Sequence, residues 1–147
     1  MSDLTTNQKG AIAETAIIHA AVRAGIGVAK PFADERYDLI FDLRDRLLRV
    51  QCKWAVLRGD VVDIRCRTCR RAREGFVHRA YAPGEVDAFA AYCSDLDRCY
   101  FLPFEVVAGR VALYLRLAPT RNNQRLGVNW AHDFDFERLD WATLRGP

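Results

Sequence analysis

No stretch of this 147-residue chain is apolar for long enough to span a membrane, although half of its residues are hydrophobic. Its opening residues, Met-Ser-Asp-Leu-Thr-Thr-Asn-Gln-Lys, contain no apolar segment of the kind that directs secretion. It has no internal repeat, no low-complexity tract and no linker. No glycine-rich loop is present to cradle the phosphates of a nucleotide, and no serine sits in a nucleophile elbow. These absences argue against a membrane protein, a repeat scaffold, an ATP-dependent enzyme and a serine hydrolase. What remains is the expectation of one soluble, cytoplasmic domain over residues 1–147, with 120–147 as a basic and aromatic C-terminal extension. An export signal is also missing, and with an odd count of five cysteines a disulfide framework is not expected. Cys66 and Cys69 form a Cys-x-x-Cys, followed by Cys93 and Cys99, so a zinc-structured interaction protein is one alternative. Residues three apart on a strand point to opposite faces, however, and reduced thiols packed as small hydrophobes fit the spacing better.

Positive charge is abundant but unevenly placed. Between Arg44 and Arg79 eleven basic residues face four acidic ones, a net of +7 against −4 for the rest of the chain. Nearly all of that charge is arginine, whose planar fork pairs with phosphate through two hydrogen bonds. The block reads either as a footprint for a polyanion such as DNA or RNA or as a solvated basic face.

Thr5 or Thr6 can cap a helix over about 7–24, with Ala13, Ala16, Ile17, Ala20 and Ala24 at helical spacing and Gly25 and Gly27 ending it. Residues 28–32 form a short extended lead-in. Val61 to Arg67 alternates as a strand, and 68–75, dense in arginine, reads as a loop beside the site. Pro83 and Gly84 introduce a second helix over about 85–93, with Val86, Phe89, Ala90 and Cys93 on one face. Strands follow at 99–102 and 110–117, then a basic loop at 120–125. The tail carries Trp130, Phe134, Phe136, Leu139 and Trp141, as a final helix or an extended arm. Helix, strands, helix, strands predicts an α/β (α+β) fold in which helices flank a mixed central β-sheet.

The most informative stretch is Tyr37–Trp54, two short strands joined at Arg44 and Asp45. A loop of those two residues pairs Leu43 with Arg46, Asp42 with Leu47, and so on back to Asp38 with Gln51. Asp38, Ile40, Asp42, Arg49, Gln51 and Lys53 then share one face, and Tyr37, Leu39, Phe41, Leu48, Val50, Cys52 and Trp54 the other. One side is nearly all apolar, and the other gathers an acid, an amide and an amine. Glu14 adds a carboxylate from the first helix, where its neighbours are Gly10, Ala11, Ile17 and Ile18. His19 reads as a surface or packed residue of the first helix, and His78 and His132 have no acid–base partner at a telling spacing.

An acid on a helix, an acid on one strand and a polar-x-Lys on the next resemble the PD-(D/E)XK nuclease family. Lys9, Gly10 and Glu14 form its early Lys-Gly-x-x-x-Glu, Tyr37 and Asp38 its Tyr-Asp, and Gln51 and Lys53 a Gln-x-Lys. This set, in the first third of the chain, looks most like the compact, resolvase-like members and the group I intron homing endonucleases, which also show Gln-x-Lys. Asp97 to Pro103 and Arg121 to Gln124 share that flavour. The resemblance implies a restriction-endonuclease-like core and metal-dependent hydrolysis of duplex DNA, with Glu14, Asp38, Gln51 and Lys53 as the catalytic set.

Mg²⁺, with Mn²⁺ as a substitute, takes oxygen ligands and keeps several waters. The resemblance therefore implies Asp38 as direct ligand, further oxygens from Gln51 and the Cys52 carbonyl, and Glu14 acting through water. Lys53 would orient the nucleophilic water and offset transition-state charge. Arg58, Arg65, Arg67, Arg70, Arg71, Arg73, Arg121 and Arg125 would hold the DNA backbone. Two strands to cut imply a homodimer or homotetramer, with the aromatic tail as an interface candidate. Two departures stand out: Tyr37 occupies the position of the family's proline, and neutral Gln51 removes one charge from the metal site. A catalytically decayed DNA-binding module is therefore the second alternative.

Overall fold

The computed structural model describes residues 3–72 and 75–144, with side chains described outside 68–80. Helix α1 spans Thr6–Arg23, and Thr5 caps it through a reciprocal box: its Oγ1 accepts from the Gln8 amide at 3.2 Å, while Gln8 Oε1 accepts from the Thr5 amide at 2.8 Å. Gly25, at φ +80°, turns the chain out of the helix. Ala13, Ile17 and Ala21 form the buried stripe, in which Ile17 supplies the bulk and the two alanines let the helix lie close to the sheet.

Strands β1 (Gly27–Ala29), β2 (Leu39–Asp42) and β3 (Leu47–Arg58) form an antiparallel meander. The β2–β3 register is the expected one, from Asp42↔Leu47 to Leu39↔Val50, closed by a hydrogen bond from the Leu43 amide to the Arg46 carbonyl. Arg44 takes φ +76° in the two-residue loop, and its amide bonds Asp42 Oδ1 at 2.7 Å. Strand β3 runs on through Arg58, further than expected, so that only Gly59 and Asp60 turn the chain into β4 (Val61–Arg65).

Strands β5 (Arg67–Ala72) and β6 (Gly75–Ala80) pair as a separate hairpin where a loop was expected. The arginines there hide the apolar alternation that marks a strand, while the backbone still closes its own ladder. The second expected helix is also a strand, β7 (Ala88–Cys93), parallel to β3 and antiparallel to β8 (Arg98–Pro103). All six of its residues are buried. Ala88, Ala90 and Tyr92 face one core, and Phe89, Ala91 and Cys93 the other. A strand covered on both sides reads as a continuous apolar run, and helical spacing can be picked out of such a run by chance.

After the short helix α2 (Phe104–Val107), β9 (Ala112–Arg116) pairs with β4, and β10 (Asn129–Trp130) lies parallel to β9. A 3₁₀ turn and helix α3 (Trp141–Leu144) finish the described chain. The sheet is thus mixed, with α1 over one face. Phe136 and Trp141 pack edge-on against Phe101 in the core beneath α1, so two aromatics of the expected interface arm are spent within the chain. Among the described residues no helix is long and apolar enough to cross a membrane.

Candidate active site

Strand β2 starts at Leu39 but β3 continues past it, so that among the described residues one edge of β3 has no strand partner between Val50 and Val56, just where Asp38 enters. The expected Asp38–Gln51 pair lies beyond the ladder: the Asp38 amide bonds the Val50 carbonyl at 2.9 Å. The Asp38 carboxylate then turns back over the open edge, and its Oδ2 accepts the Cys52 amide at 2.9 Å. A strand residue points its N–H and C=O to the same edge, so the Cys52 carbonyl emerges beside that carboxylate. Burial pushes the Asp38 carboxyl above the usual aspartate range. The Cys52 N–H opposes that shift, the Glu14 charge adds to it, and Lys53 and Lys30 oppose it.

Gln51 is half-buried, level with Phe89 of β7 in the register. Lys53 sits two residues along, where its Nζ donates to the Arg67 carbonyl at 3.1 Å and lies 5.5 Å from the ring centroids of Tyr81 and Phe89. Burial holds its pKa below that of an ordinary lysine; Cys66 and Asp38 work against this and Arg36 reinforces it. Glu14, half-buried on α1, forms an ion pair with Lys30 just past the end of β1.

Four further residues belong to this neighbourhood without having been singled out in the sequence. Lys30 carries no motif, and only the β1–β2 register brings it beside Asp38. Arg36 lies 4.1 Å above the Tyr81 ring and pairs with Glu85, so one ring is shared by two cations, Arg36 and Lys53. Among the described residues the buried Tyr81 hydroxyl has no hydrogen-bond partner. Asp63, 4% exposed on β4, joins Arg58 (Nε–Oδ2 3.0 Å) to Arg65 (Nη2–Oδ2 3.2 Å) on one sheet face. The sole signal for Asp63 was its alternation with Arg65.

The expected DNA-binding arginines divide three ways. Arg58 and Arg65 are exposed and fixed side by side by Asp63. Arg67, Arg121 and Arg125 are exposed, the last two in the connection at 119–128. The side chains of Arg70 and Arg71, and all of Arg73, lie outside the described residues, as does the Cys69 side chain. Of the other cysteines in the zinc alternative, Cys66 and Cys93 pack in the core away from α1 while Cys99 packs in the core beneath it. Burial pushes all three thiols up, Cys99 to about 12. These thiols do not converge on a zinc site, because the sheet separates Cys99 from the other two.

Among the described residues no three His, Cys, Asp or Glu side chains gather as a metal-binding group. The oxygens expected to serve a metal are mixed in type, and the structure links two of their bearers to Asp38: the Cys52 backbone by a hydrogen bond and Glu14 by its charge. Such a set suits a hard cation that keeps part of its water shell. The fit is electrostatic as well, since Glu14 and burial both make the negative charge of Asp38 costly in the absence of a cation. With a tethered ammonium alongside, the arrangement can position water against a phosphodiester and offset the charge that develops.

A family model described as PD-(D/E)XK endonuclease matches residues 4–137. Among solved structures, the bacterial homing endonuclease I-Ssp6803I is similar with a TM-score of 0.74 and 27% identity, over 97% of this chain and 94% of that one. Comparison with curated proteins returns no match.

Proposed function

Given that the chain belongs to the PD-(D/E)XK endonuclease family, we propose that it hydrolyses phosphodiester bonds of duplex DNA as a homing-type enzyme, with Mg²⁺ as cofactor and Mn²⁺ as substitute. The observation that carries the assignment is the Asp38 carboxylate bonded to the Cys52 amide at the open edge of β3, with Gln51, Lys53 and Glu14 around it. Asp38, the Cys52 carbonyl and Gln51 would hold the divalent ion, with Glu14 on α1 contributing to the site. When bound, that ion stabilises charge on the phosphate and acidifies water.

The protein's own part is positioning. The Cys52 N–H fixes the rotamer of Asp38 and favours its ionised form. Arg67 O, Tyr81 and Phe89 restrict Lys53, so its ammonium meets the attacking water and the phosphate oxygens with little freedom left to lose. Its lowered pKa makes Lys53 readier to give up a proton than a solvated lysine. Arg58 and Arg65, aligned by Asp63, contact the DNA backbone together with Arg67, Arg70, Arg71, Arg73, Arg121 and Arg125. Cutting both strands calls for two sites, hence a homodimer or homotetramer.

Supercoiled-plasmid cleavage with Mg²⁺ against EDTA tests the proposal. Wild type is expected to nick and linearise in a metal-dependent way, and Asp38→Ala and Lys53→Ala are not. Equal cutting by all three proteins would end it.

A further inference from the structure

The chain has 22 basic residues, and only Lys9, Lys30 and Lys53 are lysines. Lys53 is the candidate catalytic amine, and Lys9 lies 5.9 Å from the centroid of the neighbouring Trp54 ring. Lys30 is held on Glu14. In an arginine-rich chain, then, two of the three compact ammonium groups, Lys30 and Lys53, stand in or next to the candidate site.

The backbone fixes the place of Lys30. Ala29 pairs with Ile40 in the β1–β2 register, so Lys30 lies opposite Leu39, one residue from Asp38 on the adjacent strand. Its side chain is 60% exposed, whereas that of Glu14 is 23% exposed and anchored on a helix. One partner of the ion pair is therefore free to swing into solvent while the other stays in place. The charge of Lys30 also reaches Asp38 and Cys52, so it serves the whole carboxylate pair. An arginine there would grip a carboxylate through two parallel bonds, while an ammonium is a point charge that is exchanged more readily.

We propose that Lys30 is a positioning residue, a displaceable counter-ion that holds Glu14 in the metal-free enzyme and gives it up in exchange for a divalent cation beside Asp38. The inference rests on the reading of Asp38 and Glu14 as metal-site carboxylates. Two carboxylates and no cation would repel each other. Lys30 relieves that repulsion, keeps Glu14 in its working orientation, and leaves room for a doubly charged ion to outcompete it.

Calorimetric titration of the full chain with Mn²⁺, without DNA, reads this directly. Lys30→Met should bind Mn²⁺ roughly threefold to tenfold more tightly than wild type, because one nearby positive charge is gone. Lys30→Arg, which keeps the charge and grips harder, should bind more weakly than wild type. In a Glu14→Gln background the effect of Lys30→Met should shrink towards nothing. If Lys30→Met binds no more tightly than wild type while Asp38→Ala loses binding, the counter-ion role is wrong and the metal site stands. If Asp38→Ala binds as wild type does, the metal-site reading fails, and this inference with it.

Discussion

Two aspartates, Asp38 and Asp87, flank strand β3, and each accepts one of its backbone amides. Asp38 takes the Cys52 N–H at 2.9 Å, and Asp87 takes the Arg49 N–H at 2.7 Å. Burial pushes both carboxyls up. At Asp87 Arg49 more than offsets it, through its guanidinium (Nε at 3.2 Å and Nη2 at 3.3 Å) together with its backbone N–H, and the carboxyl ends below the usual range. Among the described residues no guanidinium bonds Asp38, Glu14 adds a like charge, and the carboxyl ends above it. The same residue type, bonded to β3 from either side, thus serves two purposes. Asp87 ties β3 to the start of β7, helped by its own N–H to the Arg49 carbonyl at 2.8 Å. Asp38 is left as an anion in want of a cation, which is what a metal-dependent site requires.

The contrast is broken most severely by Asp38→Asn. Its amide oxygen can still accept the Cys52 N–H, so the fold is kept while plasmid cleavage should fall by about 10³-fold. Lys53→Met should cost about 10²-fold in the same assay. Asp87→Asn should do the opposite, leaving metal binding intact but lowering stability in urea by about 1–2 kcal/mol, the range for a half-exposed charged hydrogen-bond network. Its pH dependence sharpens the point. The lowered pKa of Asp87 contributes stability that is present above the unfolded aspartate pKa and lost as pH falls through the folded one. The raised pKa of Asp38 works in the other direction: the fold binds its proton more tightly than the unfolded chain does, so its contribution weakens as pH rises through the folded pKa. Acid titration of Asp87→Asn should therefore show less loss of stability than wild type, and that of Asp38→Asn more. The smallest effect is expected from Gln51→Glu, which should tighten Mn²⁺ binding by roughly threefold to tenfold and so measure what the neutral amide costs. No change there would place Gln51 outside the metal shell.

Much of the catalytic edge was legible in the sequence because it rests on local rules. A two-residue loop sets the hairpin register, and strand alternation then carries Gln51 and Lys53 to one face. The Thr5 cap and the alanine stripe announce α1. What escaped depends on pairing between distant segments. Ala88–Cys93 is a strand because β3 and β8 bracket it, and nothing in its own composition says so. Lys30 and Tyr81 reach the site through the β1–β2 register and the chain's return after β6. Asp38 left its expected face for the strand edge because β2 begins one residue later, a difference that propensity does not encode.

The central claim, that Asp38 is kept as a costly anion for a divalent cation, is tested most directly by urea unfolding of wild type and Asp38→Asn at pH 7, each with and without millimolar Mg²⁺. Without metal the variant should be the more stable by about 1 kcal/mol, equivalent to about 2–4 °C in a chain of this size. With Mg²⁺ only the wild type should gain, in proportion to the logarithm of ligand over Kd, and the order should narrow or reverse. A variant less stable than wild type without metal, or an equal gain by both proteins with it, would contradict the account.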